Sequence, residues 1–180
     1  MKTHETMSVL AAVLAMTGCV YDQDNSRDER QRTYTRAVAN LSPASNSQVR
    51  GTVTFIRQGS VTLVEATLSG LTPGLHGFHI HEKGDCSAPD ASSAGAHFNP
   101  GGMPHGGPDS PERHVGDFGN IEADASGNAQ FSKVFTNLQY EGAASIIGKA
   151  VIVHAKADDL TTQPSGDAGG RMACGVINLK

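Results

Sequence analysis

The sequence predicts an all-β fold in which short strands are joined by tight turns and by two long loops. Three observations support this class: 21 of the 180 residues are glycine, apolar and polar residues alternate in several short runs, and no stretch of ten residues has a helical period. Charged residues make up only 18% of the chain, aromatic residues 5%, and tryptophan is absent. This composition favours strands and turns over a helix bundle.

The predicted strands follow one another at short intervals. Residues 49–55 alternate between apolar and polar side chains, which indicates a half-buried strand. Turn signals at 58–60 and 72–74 separate this strand from the next two. The further strands are predicted at 61–68, 77–81, 114–117, 129–135, 150–154 and 172–177.

One strand and one loop give additional information about the fold. The run 150–154 is apolar until its last residue, which predicts a strand covered on both sides. Residues 82–113 are rich in glycine, proline, serine and aspartate, and a second glycine-rich loop precedes the last strand. A loop as long as the first indicates a functional role, or ordering by a metal or a crosslink.

The first 19 residues resemble an export signal that ends in a bacterial lipoprotein cleavage site. Lys2 precedes the apolar run 7–16, which is too short to cross a membrane as a helix but has the length of a signal sequence. Small residues then precede Cys19, which would become the lipidated first residue of the mature chain. The alternative is ordinary cleavage nearby, which leaves Cys19 without a role. We therefore expect a periplasmic or cell-envelope protein, anchored to a membrane through Cys19.

Residues 20–48 are polar, carry both signs of charge and show no sustained periodicity. These properties predict a flexible tether. The folded domain is accordingly expected over residues 49–180, and its length suits a single hydrophobic core.

Histidines carry the strongest functional signal. Seven of the eight lie in the predicted domain, at positions 76, 79, 81, 97, 105, 114 and 154. His79 and His81 are two residues apart on a strand, so their side chains leave the same face and can converge on one metal. His154 ends another strand and reaches the same metal if the two strands are neighbours. With His97 these residues supply four nitrogens, a set that suits Cu(II).

A second set of ligands lies on or beside the long loop. His97, His105, His114 and Asp117 offer three imidazoles and one carboxylate, which suit a tetrahedral zinc ion. If each metal needs four ligands, the two sets share His97. This count leads to the hypothesis that the His97 ring bridges both metals through its two nitrogens.

Five segments, in this order, resemble the signature segments of the copper/zinc superoxide dismutases. They are Gly77-Phe-His-Ile-His81, Gly95-Ala-His-Phe-Asn-Pro100, His105-Gly-Gly-Pro108, Arg113-His-Val-Gly-Asp117 and Gly170-Arg-Met-Ala-Cys-Gly-Val-Ile177. The resemblance covers roughly residues 49 to 180. It implies an eight-stranded Greek-key β-barrel or sandwich. It also implies that superoxide is disproportionated to O2 and H2O2 by a copper ion that cycles between Cu(II) and Cu(I), beside a structural zinc.

The resemblance also implies a role for individual residues. It gives copper to His79, His81, His97 and His154, and zinc to His97, His105, His114 and Asp117, in agreement with the ligand count. It implies that Asp158 links His79 to His105, where a solvated surface acid is the alternative. It pairs Cys86 with Cys174 in a disulfide, which an exported chain permits. Arg171 is expected to dock the superoxide anion, and His97 to carry a proton. His76 matches no ligand position and is expected to be structural.

The charge of the chain limits its partners. A net charge of −4 and a pI near 6.0 give no reason to expect a nucleic-acid partner. Because superoxide is itself an anion, we expect Lys156 and Arg171 to create a local attractive field. A non-enzymatic copper-binding or carrier protein on the same fold is the main alternative; a mononuclear zinc hydrolase and a structural lipoprotein domain are the others. The sequence leaves the oligomeric state open, with a homodimer as one option.

Overall fold

A computed structural model describes residues 34–180 of the chain, where eight β-strands close into one barrel. The strands are β1 (Thr35–Pro43), β2 (Arg50–Gln58), β3 (Val61–Ser69), β4 (Gly74–His81), β5 (Asp117–Ala123), β6 (Ala129–Phe135), β7 (Ala150–His154) and β8 (Arg171–Leu179). The prediction of an all-β, eight-stranded barrel is therefore confirmed. The described part contains a single 3-10 turn at Ser92–Ala94, and no helix within it is long and apolar enough to cross a membrane.

The order of the strands around the barrel brings distant parts of the sequence together. Neighbours follow the order β1-β2-β3-β6-β5-β4-β7-β8, and all pairs are antiparallel. The chain crosses from β3 to β4 and again from β6 to β7, which is the connectivity of a Greek-key barrel. As a result β4, β7 and β8 lie side by side. The loops 82–116 and 155–170 leave from the ends of these strands.

Alternation along the strands separates the core from the outer face. Phe78 and Ile80 of β4 are fully buried inside the barrel, where Phe78 contacts the ring of Phe118 at 5.4 Å between centroids. Because successive side chains of a strand point to opposite faces, His79 and His81 lie on the outside of the barrel. They are nevertheless buried, since the long loops cover this face. Strand β7 is likewise buried on both faces, as predicted from its apolar sequence.

The first strand corrects the predicted tether. Residues 35–43 form β1, which pairs with both β2 and β8 and so closes the barrel. The prediction of a flexible tether over 20–48 is wrong for this segment, and the folded domain begins at Thr35, before the predicted boundary at residue 49. Only the small side chains of Ala37 and Ala39, with Leu41, face the core, so the apolar alternation is weak in the sequence. The predicted signal 1–19, including Cys19, and residues 20–33 of the tether lie outside the described residues.

A second, smaller correction concerns the strand predicted at 114–117. Residues 114–116 form a turn, closed by a hydrogen bond from the Asp117 amide to the His114 carbonyl at 3.2 Å, and β5 begins at Asp117. The strands predicted at 129–135 and 150–154 have the predicted bounds. The turn matters for the site, because it bends the chain so that His114 and Asp117 lie on one side.

Candidate metal centre

Three histidines from the barrel wall meet under the loops. His79 and His81 come from β4 and His154 from the neighbouring strand β7. Their ring centroids lie 6.5 Å apart for His79 and His81, 4.9 Å for His79 and His154, and 5.5 Å for His81 and His154. One nitrogen of each ring and one of His97 all lie within 4.8 Å of one another. All four side chains are buried. We call these four residues the strand group, since three of them belong to strands.

A second group of donors forms from the loop 82–116 and the start of β5. It consists of His97, His105, His114 and Asp117, whose donor atoms also lie within 4.8 Å of one another. We call this the loop group. The four side chains are buried, and Asp117 is fully enclosed. The structure therefore brings together the same two sets of residues that the ligand count proposed.

His97 belongs to both groups. Its Nδ1 atom lies 2.8 Å from Asp117 Oδ1, inside the loop group. Its Nε2 atom is buried and has no hydrogen-bond partner among the described residues. The ring stands between the two groups, with its centroid 4.0 Å from that of His79 and 5.5 Å from that of His114. One imidazole thus presents one nitrogen to the loop group and leaves the other for the strand group.

Backbone carbonyls orient the rings of His81 and His154. His81 Nδ1 lies 2.9 Å from the Gly95 carbonyl oxygen, and His154 Nδ1 lies 3.1 Å from that of Gly169. A carbonyl only accepts, so each Nδ1 carries the proton and each Nε2 keeps its lone pair. The two Nε2 atoms lie 3.3 Å apart. Two lone pairs that face each other in a buried space are suited to a shared cation.

Asp158 connects the two groups. Its Oδ2 accepts a hydrogen bond from His79 Nε2 at 2.8 Å, and its Oδ1 accepts one from His105 Nε2 at 2.9 Å. Asp158 is buried, which excludes the alternative of a solvated surface acid. The side chain of Asn120 holds its backbone, because it accepts from the Asp158 amide at 2.7 Å and donates to the Asp158 carbonyl at 2.9 Å. His79 is thereby left with a buried, unpartnered Nδ1.

The titration of the three histidines on β4 and β7 favours neutral rings. Burial lowers the pKa of His79 to about 4 and that of His154 to about 3, and it lowers the pKa of His81 well below its usual value. Positive charge on neighbouring rings acts in the same direction. A neutral imidazole is the form that binds a metal, so these rings are ready to coordinate at neutral pH.

The loop group has the opposite electrostatic character at its centre. Burial alone would lower the pKa of His105, but the Asp117 and Asp158 carboxylates, which face its two ring nitrogens and favour the protonated ring, outweigh it and raise the pKa to about 9. Burial alone would raise the pKa of Asp117 and of Asp158, yet their histidine partners hold both far below the usual range. Burial lowers the pKa of His114. At neutral pH and before any metal binds, the His105 ring is therefore protonated on both nitrogens and carries a positive charge between two carboxylates.

The donor atoms fit the two metals that the ligand count suggests. In the strand group, the free nitrogens are His79 Nδ1, His81 Nε2, His97 Nε2 and His154 Nε2. A set of four nitrogens suits copper. The loop group offers three Nδ1 atoms and a carboxylate oxygen, which suit zinc. The buried nitrogens without hydrogen-bond partners are costly unless a ligand satisfies them, so the site fits bound metals.

Arg171 lines a cleft beside the strand group. The cleft is also bordered by His81, His97 and His154. The guanidinium donates hydrogen bonds to the carbonyls of Ala91 and Gly95, each at 2.6 Å, which fixes its position. Lys156, the other expected source of positive charge, is exposed and lies outside the lining of this cleft.

The disulfide predicted between Cys86 and Cys174 is present. The two Cα atoms lie 5.7 Å apart, and the bond closes a separation of 88 residues. Cys174 and Cys86 pack with Ala91 and Ile152 in a small apolar cluster outside the barrel. The bond therefore ties the loop that carries the carbonyl partners of Arg171 to the strand that begins with Arg171.

Of three supporting residues, two were not predicted from the sequence. The expectation that His76 is structural agrees with its geometry: its Nδ1 lies 2.8 Å from the His154 carbonyl and its Nε2 2.8 Å from the Thr72 carbonyl. The support of Asp158 by Asn120 and the contact of Gln163 with His105 were not foreseen. Amide side chains of this kind have no spacing signal, since they act on backbone groups far away in sequence.

Comparison with known families agrees with this geometry. A family model described as copper/zinc superoxide dismutase matches residues 49–177 of the chain. The match includes every residue of the strand group and of the loop group, together with Asp158, Arg171 and both cysteines of the disulfide. Strand β1 precedes the matched region.

Proposed function

The chain belongs to the copper/zinc superoxide dismutase family, and we propose on this basis that it disproportionates superoxide to O2 and H2O2 with one copper and one zinc. The observation that carries the proposal is the place of His97 in both ligand groups, with Nδ1 toward Asp117 and Nε2 free. Because the His97 imidazole belongs to both the strand group and the loop group, the arrangement differs from two separate metal sites.

Each metal has a defined set of donors in the proposal. Copper would be held by His79, His81, His97 and His154, and zinc by His97, His105, His114 and Asp117. Copper, when bound, supplies the one-electron chemistry in which one superoxide is oxidised to O2 and a second, with two protons, is reduced to H2O2. The residues of the chain have three tasks around it: to attract the anion, to orient it and to supply a proton.

Arg171 performs the first two of these tasks. Two of its N–H groups are used by the Ala91 and Gly95 carbonyls, which leaves further donors of the guanidinium for an anion in the cleft. Its fixed charge acts over the short distance of the cleft, where it can outweigh the net charge of −4 on the whole chain. Lys156 adds positive charge at the surface near Gly169.

His97 performs the third task in the proposal. Its Nε2 is the buried nitrogen that faces the strand group, and it is the atom that would take up a proton and return it to the product. On the other side of the ring, Nδ1 lies 2.8 Å from Asp117 Oδ1, and both atoms would belong to the zinc set that keeps the ring in place. The proton therefore moves at one nitrogen while the other nitrogen anchors the ring.

The test combines metal analysis with a dismutation assay on the purified protein. We expect one copper and one zinc per chain, loss of activity when copper is removed, and recovery when copper is returned. Copper binding without dismutation would favour the alternative of a copper-binding or carrier protein. Zinc binding without copper, and no activity after copper is added, would contradict both the dismutase function and the copper-binding alternative.

For the location of the protein, we propose export to the periplasm or cell envelope and anchoring through a lipid on Cys19. The support is the sequence pattern at residues 2–19. In cells, wild-type protein should fractionate with membranes, and Cys19→Ser should appear in the soluble fraction. A Cys19→Ser protein that stays with the membranes would contradict the anchor.

A further inference from the structure

One loop holds His105 at three points. Loop 155–170 supplies Asp158, whose Oδ1 accepts from the His105 ring at 2.9 Å. It supplies Gly166, which packs against that hydrogen bond so closely that a Cβ there would overlap Asp158 Oδ1 and lie 2.7 Å from His105 Nε2. It also supplies Gln163, which contacts the His105 backbone. The ring and the main chain of this residue thus depend on the same loop.

The contact with Gln163 satisfies both polar groups of the His105 main chain. The His105 amide donates to Gln163 Oε1 at 2.8 Å, and Gln163 Nε2 donates to the His105 carbonyl at 2.9 Å. Gln163 Nε2 also donates to the Thr161 carbonyl at 3.1 Å, which orients the amide from its own loop. Two bonds from one planar amide fix the direction of the His105 main chain as well as its distance.

His105 has no strand to hold it. It lies within the loop 82–116, between β4 and β5, so a sheet ladder does not fix its backbone. The amide of the next residue, Gly106, donates to Asp117 Oδ2 at 3.1 Å, which ties the segment to the loop group. The position of the His105 ring between Asp117 and Asp158 therefore requires an anchor on the His105 backbone, and Gln163 is the side chain that provides it.

We infer that Gln163 is a positioning residue for the metal centre. It fixes His105 so that Nδ1 faces the loop group while Nε2 meets Asp158, and through Asp158 it links the order of loop 155–170 to His79 in the strand group. The inference rests on the proposed function, because it takes His105 as a zinc ligand. It assigns a share in the retention of zinc to an exposed side chain whose hydrogen bonds, within the described part of the chain, go to His105 and Thr161.

A positioning role predicts a local effect at the zinc site, whereas a merely structural role would predict a loss of stability of the whole barrel. Gln163 is exposed and contributes nothing to the barrel core, so its replacement leaves the packing of the strands intact. The effect of a substitution should then be concentrated at His105 and at the zinc site. It should be small on the free energy of unfolding of the barrel.

The experiment compares Gln163→Met with Gln130→Met, a matched change at an exposed position of β6. In metal-free protein, the His105 amide should exchange with solvent about 10-fold faster in Gln163→Met, as expected for the loss of one hydrogen bond. The Gly106 amide, which donates to Asp117, is the internal control and should keep its rate. Zinc should leave Gln163→Met about 10-fold faster than wild type, within the range for residues that support a metal ligand.

Two further measurements sharpen the result. Cobalt in the zinc site should show shifted d–d absorption bands in Gln163→Met and unchanged bands in Gln130→Met. Gln163→Glu keeps an acceptor for the His105 amide, so it should restore most of the amide protection. Equal exchange, zinc loss and cobalt spectra in Gln163→Met and Gln130→Met would overturn the inference, as would a Gln163→Glu that exchanges like Gln163→Met. A wild-type protein that fails to retain zinc would instead contradict the proposed function, since the amide measurement needs no metal.

Discussion

The two ligand groups are built by different means. In the strand group, β4 and β7 fix the backbones of His79, His81 and His154, and backbone carbonyls orient two of the rings. Burial keeps these rings neutral. In the loop group, carboxylates orient His105, and its pKa is raised to about 9 despite its burial.

This difference indicates how each half is maintained. Three of the four residues of the strand group follow from the fold, because any sequence that forms this barrel places residues 79, 81 and 154 on one outer face. The loop group is held by charge, by side-chain hydrogen bonds and by a crosslink. We therefore expect the strand group to tolerate changes in the loops that leave His97 and Asp158 in place, and the loop group to respond to protonation and to the loss of single supporting residues.

The largest expected effect comes from removing one ligand from the strand group in one variant and one ligand from the loop group in another. His154→Ala deletes a nitrogen of the strand group only, so dismutation should fall to background while zinc content stays near wild type. His114→Ala deletes a nitrogen of the loop group only, so zinc should be lost while copper still binds. Metal content per chain and activity, measured on both variants, check this prediction. Loss of both metals in both variants would show that the two groups are not separable.

The disulfide should matter next, because it ties a loop to the barrel wall. Removing it in a Cys86→Ala, Cys174→Ala double variant should lower the free energy of unfolding by about 4 to 5 kcal/mol, from the chain entropy of the loop of 88 residues that it closes. Urea denaturation measures this loss. Activity should also fall, because the carbonyls that position Arg171 lie in the released loop. Full activity and unchanged metal retention in the folded double variant would contradict the positioning role of the disulfide.

Asp158 tests the connection between the halves. In Asp158→Asn, the amide nitrogen donates and cannot accept a hydrogen bond, so His79 and His105 compete for the single remaining oxygen. Affinity for metal should fall by a factor of about 10 to 100, and the loss should reach both groups. Competition with chelators measures each affinity. Asp167→Asn, an exposed change in the same loop, is the matched control and should be neutral. A loss confined to zinc would contradict the link to His79.

The sequence predicted the strand group for a physical reason. Alternation along a strand places residues two apart on one face, so His79 and His81 could be paired from spacing alone. The apolar run before His154 indicated a buried strand, but its place beside the first strand was left as a condition. The barrel-closing strand was missed because Ala37 and Ala39 are too weakly apolar to stand out among polar neighbours. The alternation of apolar and polar residues was sufficient to predict a strand only where the buried side chains were large.

The loop group was harder to predict in its details. The types and order of His97, His105, His114 and Asp117 suggested zinc, but the turn at 114–116 looked like a strand because its residues continue into β5. The support from Gln163 acts across 58 residues on backbone atoms. No local pattern in a sequence records such a contact, so it became visible only in the fold.

The smallest expected effect is a pH dependence of the metal-free protein that separates the two halves by sign. In the strand group, the pKa of His79 is lowered to about 4 from 6.5, so its contribution to stability is present above pH 6.5 and is lost as the pH falls toward 4. In the loop group, the pKa of His105 is raised from 6.5 to about 9, so its contribution is present below pH 6.5 and is lost as the pH rises toward 9. The free energy of unfolding should therefore be greatest near pH 6.5.

Zinc should remove only the alkaline side of this dependence. Bound zinc takes the place of the proton on His105 Nδ1, so the zinc-loaded protein should keep its stability between pH 6.5 and 9, whereas the metal-free protein loses part of it. Urea denaturation of both forms from pH 4 to pH 9 measures the difference. Zinc binding at pH 7.5 should also release a proton from His105, which calorimetry in buffers of different ionisation enthalpy detects. Metal-free stability that continues to rise from pH 6.5 to 9 would mean that the carboxylates do not hold a proton on His105, and the electrostatic contrast between the two groups would be lost.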